Sequence, residues 1–141
     1  MAKAPLSVKW IIIGSAIIIA LNLILTLLLE PATREALVAS MGETGGLLVL
    51  ALIVAVGSYF VGGIIIGYAS PGTTLMEPAI ASAVAILFNV VILWLRSGEL
   101  VNVIGVVVMI ALGFGLGLAG AKVGERLQGE TTDKMRERGE L

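Results

Sequence analysis

The feature that most constrains this chain is the gathering of its apolar residues into four long runs, residues 8–29, 47–69, 78–95 and 100–121, with most of the charge between and beyond them. Each run is close to the roughly 20 residues that cross a ~30 Å hydrocarbon core at ~1.5 Å per residue. In hydrocarbon a peptide backbone must satisfy its own N–H and C=O groups, which a single segment does only as a helix. The first run holds one charge, Lys9, and 13 Ile or Leu residues, whose insertion at about −0.3 to −0.6 kcal/mol each is favoured by roughly 4 to 8 kcal/mol. A cleaved signal peptide would have a shorter apolar region and a small-residue cleavage site. Glu30-Pro31 follows instead, so the run is read as a retained helix.

Composition agrees, because 58% hydrophobic and 13% charged residues cannot cover a water-facing domain of 141 residues. The expected fold is therefore all-α: a polytopic membrane protein with a bundle of four transmembrane helices over residues 1–121 and a charged cytoplasmic tail over 122–141. Lys3 and Lys9 precede the first run and Lys122, Arg126, Lys134, Arg136 and Arg138 follow the last, while only Arg34 and Arg96 fall on the other face. Cytoplasmic flanks retain Lys and Arg, so both termini are expected on the cytoplasmic side.

Pro31 stands where a helix could begin and Gly42 where one could end, so residues 31–41, with Leu37, Val38 and Met41 on one face, are read as a short helix on the outer membrane surface. On the inner side Pro71 and Gly72 make a tight turn, and Glu77-Pro78 opens the third run. The tail balances five basic against five acidic residues, with Glu130 and Lys134 spaced for an i,i+4 pair, and reads as a solvated helical extension.

An internal repeat is visible. Ser15-Ala16-Ile17-Ile18-Ile19-Ala20-Leu21-Asn22 and Ser82-Ala83-Val84-Ala85-Ile86-Leu87-Phe88-Asn89 share Ser, Ala, Ile and Asn at four positions, and Gly62-Gly63-x-x-x-Gly67 is echoed by Ala119-Gly120-x-x-x-Gly124. The expectation is two parallel α-hairpin repeats related by an axis along the membrane normal.

At 100° per residue Ser15, Asn22 and Thr26 form a polar line on the first helix, and Ser82 and Asn89 one on the third. An amide in hydrocarbon needs a partner, so these side chains face protein as interhelical glue or, alternatively, line a solute path. Gly113, Gly117, Gly120 and Gly124, at offsets of 0, 4, 7 and 11, share one face and make a groove for close helix approach, either from Gly63 and Gly67 of the same chain or from another subunit. Glu77, the one acid flanking a charge-free stretch, is either a cation site at the inner mouth or a carboxylate stabilised at a helix N-terminus.

The segment Gly62-Gly63-Ile64-Ile65-Ile66-Gly67-Tyr68-Ala69-Ser70-Pro71-Gly72-Thr73-Thr74-Leu75-Met76-Glu77-Pro78 resembles a pattern of small four-helix bacterial membrane proteins, which implies an inner-membrane location and a four-helix layout but no activity. In size the chain also looks like the small multidrug resistance transporters. Those depend on a membrane-embedded glutamate in their first helix, where this chain has Ser15, Asn22 and Thr26.

No histidine and no cysteine occur, which removes the usual ligands of haem, iron–sulfur clusters, zinc and copper and the usual bases and nucleophiles. No cofactor, metal or enzymatic activity is expected. The functional expectation is a non-catalytic accessory subunit, scaffold or self-assembling bundle, with membrane lipids and other subunits as partners and no nucleic acid. The alternative is a small oligomeric channel or transporter built on the asparagine-bearing helices.

Overall fold

The computed structural model describes residues 6–70, 75–98 and 102–137, the side chains of 130–137 excepted. Pro71 and Gly72 lie outside the described residues, as do Lys3, Glu99, Arg138 and the side chains of the Glu130–Lys134 pair. Among the described residues the chain forms three helices and no strand: α1 (Val8–Ala69), α2 (Met76–Ser97) and α3 (Val103–Glu137).

This corrects the four-helix bundle of two hairpin repeats. The first two apolar runs and the surface helix expected at 31–41 belong to one element of 62 residues, because helical pairing passes straight through Pro31. A proline inside a helix removes one hydrogen bond and crowds the preceding turn. Here two side-chain bonds span the site: the Thr33 hydroxyl donates to the Leu29 carbonyl at 2.7 Å, and Arg34 pairs with Glu30 at 3.1 Å.

The one non-helical residue inside α1 is Gly42, at φ 75 and ψ 169. That region is essentially open to glycine alone. The chain doubles back there, so residues 8–41 and 43–69 are antiparallel arms of the same element. Asn22 donates to Ser58 at 3.2 Å, a Cβ on Gly57 would stand 2.8 Å from Leu25 Cδ1, and one on Gly46 would stand 2.6 Å from the Val38 backbone nitrogen.

The repeat fails at the level of contacts as well. Two equivalent hairpins would each pair their asparagine with their own second helix, whereas Asn22 and Asn89 both turn to the second arm of α1, one to Ser58 and the other to Tyr59.

Helix α2 has Glu77 and Pro78 in its first turn and Arg96 in its last, matching the helix dipole and the tolerance of proline at a helix start. It stops at Gly98, whose left-handed conformation (φ 67) lets its N–H reach the Trp94 carbonyl at 2.8 Å. Asn102 caps α3, its Oδ1 accepting from the N–H groups of Ile104 at 3.0 Å and Gly105 at 3.4 Å. Helix α3 continues past Ala121 to Glu137, so the described part of the tail extends it without a break.

The interior is small: Ile18, Tyr59, Ile66, Ala81, Ala85 and Ile86 form its core. Large apolar side chains such as Ile12, Leu27, Val56, Leu95 and Ile104 lie exposed around it. Only 17% of the most apolar window of α1 and of α3, and 33% of that of α2, is buried within the protein. So much apolar surface suits lipid rather than water, and all three helices are long and apolar enough to cross a membrane.

Candidate functional site

The bundle packs differently at its two ends. At the end bearing Ser70 the helices meet over glycine. A Cβ on Gly63 would stand 2.6 Å from the Gly117 carbonyl oxygen, and one on Gly67 equally close to that of Ala121. On the facing helix, a Cβ on Gly120 would collide with the Phe60 carbonyl oxygen and one on Gly124 with that of Ile64. Gly113 sits under Ile86, and a Cβ on Gly117 would also crowd the Ser82 hydroxyl. The six glycines singled out in the sequence thus face neighbours within the chain, which leaves no gap between the second arm of α1 and α3 at this end.

Toward the end bearing Gly42 and Gly98 the elements part. They leave a cavity of about 550 Å³ to which both arms of α1, α2 and α3 all contribute. Its walls are apolar, including Leu47, Leu50, Val54, Leu93, Val106 and Met109. Its polar groups are Asn22, Thr26, Tyr59 and Asn89 toward the middle of the bundle and Glu30 and Asn102 toward the end bearing Gly42 and Gly98.

The deep groups are held by a short network. Asn22 donates through Nδ2 to the Ser58 hydroxyl at 3.2 Å, and that hydroxyl donates to the Val54 carbonyl at 2.8 Å. Ser58 is fully buried, so the amide is anchored on the bundle side. The next residue, Tyr59, is 3% exposed and has the Asn89 side chain beside its hydroxyl, within reach of a hydrogen bond. Two asparagines from different elements are thereby fixed by two consecutive residues of the second arm. The Thr26 hydroxyl returns to its own helix, donating to the Asn22 carbonyl at 2.8 Å.

The serines lie below this floor. Ser15 donates to its own turn at Ile11, 2.8 Å away, and lies 3.2 Å from the Ala81 carbonyl of α2. Ser82 donates to Pro78 at 2.9 Å. Ser15 ties α1 to α2 and Ser82 is bonded within α2; both lie in the closed half, and neither lines the cavity. Glu77 lies farther still, 4% exposed, accepting from the Ser7 N–H at 2.7 Å and the Ser70 hydroxyl at 3.0 Å. The polar residues of the sequence analysis therefore divide, with Asn22, Thr26 and Asn89 at the cavity and Ser15, Ser82 and Glu77 in the closed half.

Sequence reasoning did not single out Ser58, Tyr59, Glu30 or Asn102. Ser58-Tyr59 carried a signal, an adjacent polar pair inside an otherwise apolar run, since a hydroxyl at that depth requires a partner. No family model, no curated protein and no solved structure matches the chain.

Proposed function

We propose that the protein is a non-catalytic, multi-pass membrane protein that takes a small solute into the asparagine-floored cavity from the side on which Gly42 and Gly98 lie. The observation that carries this reading is the cavity itself: about 550 Å³ among all the helical elements, apolar on its walls and polar at its floor. A concave, mostly apolar site with a few convergent polar groups is the usual form of a small-molecule site. The lack of histidine and cysteine supports binding or carriage rather than chemistry on the solute.

Lys9, Lys122 and Arg126 belong to the end that holds Ser70, and Arg34 and Arg96 to the other. With the resemblance of residues 62–78 to bacterial membrane proteins, this supports a bacterial inner-membrane location with both termini cytoplasmic and the cavity opening outward. The closed, glycine-packed half then faces the cytoplasm, which suits a receptor or an alternating carrier better than a continuous pore.

The accessory-subunit reading rests on the small-residue stripes and on apolar spans with few ionisable groups. Gly63, Gly67, Gly117, Gly120 and Gly124 meet backbone within the chain, so that reading has less to stand on.

The test is reconstitution into nanodiscs and into sealed vesicles, with saturable binding and solute uptake measured for the parent and for Asn22→Leu and Asn89→Leu. Binding or uptake lost in either variant, with the helical content unchanged, is the expected result. Unchanged uptake and binding in both variants would remove the cavity from the function.

A further inference from the structure

The chemistry of the cavity floor narrows what can sit on it. We infer that the solute is an uncharged molecule carrying a hydroxyl or primary amide on a compact hydrocarbon body, and that it sits polar end inward. This rests on the reading of the cavity as a solute site and adds the ligand class to it.

Charge is the first discriminator. Among the described residues the one ionisable carboxylate or base on the cavity lining is Glu30, toward the end bearing Gly42 and Gly98, and it is already paired with Arg34 at 3.1 Å. No side chain of opposite charge waits at the floor among Asn22, Tyr59 and Asn89 for either a carboxylate or an ammonium group. An ion moved there would shed its hydration without a counter-charge.

Hydrogen-bonding capacity is the second. A side-chain amide offers two donor hydrogens and an oxygen with two lone pairs. Asn22 commits one donor to Ser58, and Asn89 is engaged with the Tyr59 hydroxyl. Each amide therefore keeps both donor and acceptor capacity on the cavity side. A hydroxyl or a primary amide both donates and accepts and so matches either one. A pure hydrocarbon would cover these groups and leave them unpaired, which burial penalises.

The walls supply the third argument. Leu50, Val54, Val106 and Met109 surround the space above the floor, so the body of the ligand meets mainly apolar atoms.

The experiment uses the full chain in phosphatidylcholine nanodiscs, with empty nanodiscs as the partition control, and follows saturable binding by ligand-observed NMR. Five probes of one shape are compared: 4-phenylbutan-1-ol, 4-phenylbutanamide, butylbenzene, 4-phenylbutyrate and 4-phenylbutylammonium. The alcohol and the amide are expected to saturate a single site. Asn89→Leu should weaken them by about five- to tenfold, as loss of one buried hydrogen bond does, and Tyr59→Phe, which removes the group holding Asn89 rather than a bond to the ligand, should weaken them by less. Ala51→Trp, which fills the cavity from its wall, should abolish binding.

Binding of butylbenzene, the carboxylate or the ammonium probe as tight as that of the alcohol, still abolished by Ala51→Trp, would overturn the ligand class and leave the cavity as a site. Alcohol and amide affinities unmoved by both Tyr59→Phe and Asn89→Leu would do the same. Absence of saturable binding by every probe, or binding that survives Ala51→Trp, would overturn the class and the cavity reading together.

Discussion

The backbone N–H of Ser7 donates to Glu77 Oε1 at 2.7 Å across 70 positions of sequence. The other carboxylate oxygen takes the Ser70 hydroxyl at 3.0 Å. One side chain, 4% exposed, thus gathers the start of α1, the residue that follows its end and the first turn of α2. A carboxylate in that turn also lies at the positive end of the α2 dipole, so three favourable terms converge on Glu77.

Removing the carboxylate is expected to loosen that end of the bundle. Glu77→Ala leaves two donors without their acceptor and should cost about 2 to 3 kcal/mol, whereas Glu77→Gln keeps an acceptor oxygen and should cost about 1 kcal/mol. Reversible unfolding in detergent micelles measures both. Equal losses for the two variants would mean that the carboxylate is not the acceptor joining these segments.

The glycine contacts give a sharper contrast, because neighbouring glycines of α3 differ in what surrounds them. Gly120 lies against the backbone of Phe60 and Ile64, while a Cβ on Gly115 would meet nothing within 4 Å. Gly120→Leu is expected to force the second arm of α1 away from α3 and to destabilise by at least about 3 kcal/mol, since backbone cannot yield as a flexible side chain does. Gly115→Ala should instead be neutral or stabilising by up to about 1 kcal/mol through helix propensity. Thermal unfolding of the two variants side by side checks the pair, and comparable losses would refute the close approach.

These contacts also mark how far the sequence could be read. The helical character, in segments long and apolar enough to cross a membrane, was legible because every apolar run is long enough to satisfy its own backbone in hydrocarbon. Offsets of 4, 3 and 4 put Gly113, Gly117, Gly120 and Gly124 on one face whatever the tertiary structure. Spacing alone, however, does not choose between a helix of the same chain and one of another.

The count of helices was not legible. Pro31 carries a strong local stop signal, and here the helix continues past it with Thr33 and Arg34 bonded back across the site. The cavity was half legible. Asn22 and Asn89 stood out as amides in apolar runs, but their convergence on Ser58 and Tyr59 depends on where α1 folds back, which a single glycine decides.

That glycine makes a prediction of its own. Gly42 has open space where a Cβ would be, so any cost of Gly42→Ala is conformational and not steric contact with a neighbour. A backbone at φ 75 and ψ 169 is disfavoured for L side chains by about 1 to 3 kcal/mol. Gly42→Ala is expected to lower stability by that amount and to weaken the pairing of the two arms. The chain has no native cysteine, so oxidative cross-linking of Leu25→Cys with Gly57→Cys reports the pairing directly. An unchanged cross-linking yield and unchanged stability would show that the reversal does not need glycine.

The pairing of Asn22 with Ser58 connects the reversal to the cavity, and its strength can be isolated. Asn22→Leu alone leaves the Ser58 hydroxyl with its own backbone acceptors, Val54 at 2.8 Å and Ala55 at 3.3 Å. Ser58→Ala alone frees the Asn22 donor that faced Ser58, and Asn22, being half-buried on the cavity lining, can turn its amide toward the cavity. Neither single change therefore strands a fully buried group, and the coupling in a double-mutant cycle should approximate the bond itself. Interhelical hydrogen bonds within membranes average about 0.6 kcal/mol and reach about 1.7. A coupling of about 0.5 to 1.5 kcal/mol is expected from unfolding free energies of the parent, the two single variants and Asn22→Leu/Ser58→Ala. Coupling within error of zero would mean that Asn22 is held by something other than Ser58. The orientation of the cavity floor would then have to come from packing against the Tyr59 ring and the Thr26 turn alone.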